Sequence, residues 1–178
     1  NLGSSWDSPY SFSISNNNAM GTQLGGHISV YKGIDVGADN FEVFGYMAYG
    51  GSGSGAVEGT VGVAFNIQDA SNFYAVRYIG ANSIQIIKCV DGAISTWAVP
   101  GGTAEKGPNY RLIVRYDSVA GQYTVIGGLS NYTYKATDTT FAGQGGGLGL
   151  YSIGSLTKPG TVYRFGATGN EAIPEPVS

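Results

Sequence analysis

Val61–Gly92 reads VGVAFNIQDASNFYAVRYIGANSIQIIKCVDG, and this stretch decides the class of fold. Apolar and polar residues alternate in short runs, and no apolar stripe of helical period persists, so the stretch predicts strands. Thr60–Asn66 and Asn72–Ile79 are two of them, folded into a hairpin around Gln68-Asp69-Ala70-Ser71. Ser83–Val90 is the third. Asp91-Gly92 follows as a two-residue hairpin turn, because both positions tolerate φ > 0, and Ala93–Val99 pairs back across it.

The same pattern extends in both directions. Upstream, Phe41–Tyr49 reads as a strand ending in the Gly/Ser tip Gly50–Gly55. Downstream, strands are expected over Asn109–Tyr116, Gln122–Gly127, Thr133–Lys135, the Gly-rich Gly145–Tyr151 and Thr161–Phe165. So many short strands predict a β-sandwich or barrel. Composition agrees: of 178 residues 30 are Gly and 13 Tyr, while only 12% carry charge, against roughly 25% in ordinary soluble domains. Tyr suits a pleated half-buried surface and Gly supplies turns. Neither Gly-rich piece reads as a phosphate loop. Gly50–Gly55 lacks the Lys-Ser/Thr and helix such a loop needs, and Gly143–Gly149 lies between strands.

Particular residues carry a resemblance. Gly62 to Phe65 end one strand, Asp69 and Asn72 mark the turn, Phe73 to Arg77 open the next strand, and Asp91-Gly92 close the series. YRLIVRY at Tyr110–Tyr116 and TTFAGQGGGLGLYS at Thr139–Ser152 follow in order. Across residues 40–166 the chain resembles the bacterial branch of the concanavalin A-like lectin/glucanase superfamily. That resemblance implies a jelly-roll β-sandwich of two antiparallel sheets. It implies no single function, since such folds serve glycan binders, adhesion modules and glycosidases. At the other end, AIPEPVS resembles a PEP-CTERM sorting signal, with Pro174, Glu175 and Pro176 as its motif. This second resemblance implies export to the cell surface or an exopolysaccharide matrix.

Three parts are expected: an N-terminal segment 1–20, a sandwich over 21–168, and a tail over 169–178. The chain opens at Asn1 without Met or leader, which reads as a processed secreted protein. Within the first part, Ser11–Ser15 (SFSIS) could add to a neighbour's sheet edge. The tail is expected to cover Ile173 and Val177 against its own domain or a neighbour. A net charge of −3 predicts no basic surface and argues against nucleic acid. Apolar runs fall short of the ~20 residues of a membrane helix. The lone Cys89, between apolar neighbours, reads as a buried thiol rather than a reactive one.

Catalytic machinery is not legible. Glycosidases of this fold use paired carboxylates. Of the five glutamates, Glu42 and Glu58 could meet only if their strands pair, and Glu105, Glu171 and Glu175 have no such partner. His27 stands alone, without a nucleophilic serine motif or zinc-ligand spacing. Asp35, Asp39 and Asn40 in the loop GIDVGADN, and Asp69 with Asn72, are oxygen-rich enough to suggest calcium, though ordinary Asx-turn chemistry is the preferred explanation. For a sugar, Trp97, Tyr74, Tyr78 and Arg77 offer aromatic faces and a charge, with the buried side of each strand left open. Asn131-Tyr132-Thr133 is a glycosylation sequon.

These features predict a non-catalytic, extracellular or surface-located protein. Its first expected role is a structural subunit that self-associates into a filament, sheath or matrix, because low charge and many tyrosines favour subunit contact. The rival is a lectin-like module binding polysaccharide of the matrix. A glycoside hydrolase is the third reading.

Overall fold

The computed structural model describes residues 6–7, 12–15, 18–21, 26–35, 39–48, 50, 59–79, 83–98, 111–127, 132–154 and 160–169. They form fourteen strands and no helix: β1 (Trp6–Asp7), β2 (Phe12–Ser15), β3 (Asn18–Gly21), β4 (Gly26–Asp35), β5 (Phe41–Ala48), β6 (Thr60–Asp69), β7 (Asn72–Ile79), β8 (Ser83–Val90), β9 (Ala93–Ala98), β10 (Arg111–Asp117), β11 (Gln122–Gly127), β12 (Tyr132–Ala136), β13 (Gly147–Ile153) and β14 (Gly160–Gly169). None of these residues therefore forms a helix that could cross a membrane.

Two seven-stranded antiparallel sheets stack face to face as a jelly-roll sandwich. The first sheet runs β1-β4-β13-β6-β7-β8-β9 and the second β12-β11-β10-β5-β14-β3-β2. The expected strands β7, β8 and β11 have the bounds read from the sequence, and Asp91 and Gly92 adopt φ of 48° and 81°. Other elements differ from the reading: β1, β3 and β4 have no counterpart in it, and Gln68 and Asp69, expected in the turn, end β6. Gly33–Asp35, expected as loop, continues β4, whose pairing with β13 supplies its hydrogen bonds. Within the N-terminal part, β1 pairs with β4, while β2 pairs with β3 and β3 with β14 of the same chain. The tail, including Ile173, Val177 and the Pro174–Pro176 motif, lies outside the described residues, as do Asn131, Glu58 and Glu105.

The core sits between the sheets. Val61, Val63, Phe65, Tyr74, Val76 and Tyr78 of the first sheet meet Phe41, Val43, Met47, Leu112, Val114 and Tyr123 of the second, all essentially without solvent exposure. Alternation puts every second residue of these strands here, the arrangement two stacked sheets require. A second cluster lies on the far side of the first sheet: Ile28, Ala64, Ile67, Phe73, Ala75, Ile87, Cys89 and Tyr151. That sheet is thus buried on both faces, and its central strands are buried along nearly their whole length.

Candidate functional site

The structure separates the four residues expected to meet a sugar. Tyr74 and Tyr78 are 0% exposed between the sheets, so neither ring is available for stacking. Burial is compensated by hydrogen bonds: Tyr74 Oη donates to Asp138 and Tyr78 Oη donates to the Arg111 carbonyl oxygen. Trp97 is half-buried on β9, its ring 5.0 Å from Tyr74 and 5.6 Å from Tyr123. Arg77 points to the opposite side of the first sheet. The alternation is as expected; which side is interior was decided by the second sheet, which buries the Tyr74/Tyr78 side.

Arg77 is itself buried. Its Nε and Nη2 donate to Gln85 Oε1 at 3.2 and 2.9 Å, and its Nη1 donates to Tyr151 Oη at 3.1 Å. Burial pushes the Tyr151 phenol up despite this cation, and burial likewise pushes the Cys89 thiol up. Both groups therefore remain protonated at neutral pH, in keeping with a structural thiol.

The oxygen-rich turns serve the backbone. Asn40 Oδ1 accepts from the Ser118 amide and hydroxyl at 2.8 and 2.9 Å. Asp69 accepts from the Ser71 amide and the Asn72 side chain, contacts that lower its pKa, while Asn72 Oδ1 accepts from the Asp91 amide. Asp39 is exposed, the side chains of Asp35 and His27 lie outside the described residues, and no group of three acids, His or Cys converges among those described. Asp138 closes a different contact. Lys88 Nζ approaches it at 2.8 Å, and the Thr140 amide and Tyr74 hydroxyl also donate to it. Burial alone would raise its pKa; these donors outweigh it and hold the carboxyl at about 2. Glu42 is paired with Arg115.

The outer face of the second sheet is the one built differently. On three adjacent strands, register places Arg111 (β10), Tyr46 (β5) and Arg164 (β14) in one row. Ile113, Phe44 and Gly166 form the next row, and Arg115, Glu42 and Thr168 the third, which continues through Thr124 to Lys135. A Cβ at Gly166 would lie 2.3 Å from Phe44 Cζ, so the missing side chain lets the Phe44 ring lie across the sheet. The Arg164 guanidinium sits 5.8 Å from that ring's centroid, and Tyr46 meets it edge-on at 6.1 Å. A register shift between Val162 and Arg164 sets Tyr163 in a bulge, and Tyr163 is 36% exposed.

This face corrects the expectation of no basic surface. Among the described residues it carries four cations, Arg111, Arg115, Lys135 and Arg164, against two carboxylates, Glu42 and, at the end of β10, Asp117. Net charge is a sum over the chain and cannot report segregation. The signal was present in FEVFGYMA and RLIVRYD, where alternation gathers Glu42, Phe44 and Tyr46, and Arg111, Ile113, Arg115 and Asp117, onto one side.

Solved structures share this architecture at low sequence identity. Carbohydrate-binding module CBM66 from Bacillus subtilis aligns over 90% of this chain and 91% of its own, with TM-score 0.66 and 17% identity. A legume lectin-like domain from Entamoeba histolytica aligns over 90% of this chain and 87% of its own, with TM-score 0.63 and 12% identity. The fold is the concanavalin A-like jelly roll. The GH43 protein BlXynB from Bacillus licheniformis also matches, TM-score 0.65 and 14% identity, with 94% of this chain covering 37% of that one. No protein-family model matches this sequence, and no curated protein matches it.

Proposed function

We propose that this chain is a non-catalytic, lectin-like carbohydrate-binding module of an exported protein, and that it engages glycan on the outer face of the second sheet. The observation that carries the reading is the Phe44 ring laid over Gly166, with Tyr46 and Arg164 against it on a partly exposed sheet face. A pyranose presents a C–H face that stacks on such rings, while neighbouring guanidinium groups donate hydrogen bonds to its ring-edge oxygens. Strands hold these side chains at fixed spacing, so little conformational freedom is lost on binding. The carbohydrate-binding module and lectin-like domain among the structural matches support this reading over the structural-subunit one. Export to a cell surface or matrix, with Pro174-Glu175-Pro176 as a sorting motif, is the setting that fits it.

A glycan array followed by titration calorimetry tests the proposal. Phe44→Ala and Tyr46→Ala should each weaken binding to the best glycan by about tenfold, the loss of roughly 1.4 kcal/mol of contact, with thermal unfolding little changed. An array without hits, or hits insensitive to both substitutions, overturns it.

A further inference from the structure

The charge of the described residues is unevenly distributed over the sandwich. Asp39, Asp69, Asp91, Asp117 and Asp138 all lie in or beside the turns at one end of the sandwich, the end where β6, β8, β10 and β12 finish. Of the nine Lys and Arg in the chain, four stand on the outer face of the second sheet. Of its two carboxylates, Glu42 is 5% exposed and neutralised by Arg115, and Asp117, at the end of β10, accepts from the Val119 and Ala120 amides. A chain of net charge −3 thus carries a local cationic surface, centred on aromatic rings.

We infer that the glycan bound on this face is an acidic polysaccharide, one bearing carboxylate or sulfate groups along its length. The inference rests on the carbohydrate-binding reading above and adds the substrate class. Arg111 and Arg164 flank Tyr46 on the two neighbouring strands, which puts their backbones about 10 Å apart at the usual spacing between strands. A neutral sugar needs only donors and acceptors in balance. Two guanidinium forks on either side of a ring match anions repeated along an extended chain, because each fork can donate two parallel hydrogen bonds to one carboxylate or sulfate. Lys135, on the third row beyond Thr124, extends the positive strip across the sheet. Arg164 has a double role: its guanidinium sits over the Phe44 ring while the residue stays exposed.

Polyuronate (alginate), carboxyl-reduced alginate, dextran sulfate, dextran and single-stranded DNA, each titrated against the full chain, separate the outcomes. Alginate or dextran sulfate should bind, with affinity falling at least about tenfold between low and high salt as exposed charges are screened; which of the two binds tells carboxylate from sulfate. The double variant Arg111→Gln/Arg164→Gln should lose at least about tenfold, equivalent to 1.4 kcal/mol, while keeping its unfolding temperature. Uncharged forms (carboxyl-reduced alginate, dextran) that bind as tightly as alginate and dextran sulfate overturn this inference and leave the carbohydrate-binding reading standing. No binding to any polysaccharide overturns both. DNA bound as tightly as alginate marks an unselective polyanion surface and overturns the inference. Salt-sensitive self-association lost in the arginine variant, without polysaccharide binding, assigns the face to the acidic end of a second copy and likewise overturns it.

Discussion

The outer faces of the two sheets start from the same local pattern and end as opposite environments. In β7, alternation sends Phe73, Ala75 and Arg77 away from the inter-sheet core, and all of them are buried. In β5 it sends Glu42, Phe44 and Tyr46 outward: Phe44 and Tyr46 stay partly exposed, while Glu42 is buried against Arg115. Both faces hold arginine. Arg77 is enclosed, with Gln85 and Tyr151 taking its donors, whereas Arg164 lies on Phe44 with its charge in water. The strand β11 shows the same contrast in its alternating burial, against the continuous burial of β6. Periodicity selects which residues share a face. It leaves open whether that face is interior or surface, and the chemistry available to an arginine follows from that second choice.

The contrast can be broken first by a charge. Ala75→Asp puts an unpaired carboxylate where Ala75 is 0% exposed, and should cost about 3–5 kcal/mol, read as a fall in the urea midpoint. A midpoint unchanged would show that this face of the first sheet opens readily to water. Next comes a cavity. Ile87→Ala should lose about 2–4 kcal/mol, while Ile126→Ala on the partly exposed face should lose less than about 1. Similar losses at both sites would erase the distinction between the faces.

Gly166→Ala sharpens it from the surface side. The added methyl would meet the Phe44 ring, which must swing away, at about 1 kcal/mol of stability but with glycan affinity reduced far more than stability. Retained affinity would remove Phe44 from the binding face.

Protonation offers two further checks. Asp138 is held at about pKa 2 in the folded chain against 3.8 for a free group. A depressed folded pKa stabilises above the unfolded value, so this contribution is complete above about pH 4 and is lost as pH falls toward 2. Asp138→Asn should flatten that acid slope in chemical unfolding followed by fluorescence. At the alkaline side, burial raises Tyr74, Tyr123 and Tyr151 above 10.0. Their stabilisation is present below pH 10 and declines as pH rises further, as the unfolded phenols ionise. Tyr151→Phe should remove its share of this decline but also leaves Arg77 one acceptor short. The smallest effect belongs to Thr124→Asp, set between Arg115 and Lys135 on the open face: within about 0.5 kcal/mol of the parent, in contrast to Ala75→Asp.

Much of the fold was legible because its signals are local. The Asp91-Gly92 turn needs φ > 0 at both positions, and the alternation of Asn72–Ile79 and Gln122–Gly127 is intrinsic to a half-buried strand. The strand β4 was not legible; at Gly33–Asp35 Gly and Asp disfavour a strand and only pairing with β13 supports one. The candidate site was the least legible. Tyr74, Tyr78 and Trp97 look like a sugar platform in one dimension, yet two sheets meeting over them make a core. Phe44, Tyr46, Arg111 and Arg164 come from three strands far apart in the chain, and only their register brings them into one row and its neighbour. Composition and alternation by themselves determined an all-β sandwich and which residues travel together, because both are properties of the backbone and its nearest neighbours. The tertiary structure alone decided which side of each strand is buried and where charge collects, because those depend on which strands pair and which face the other sheet covers.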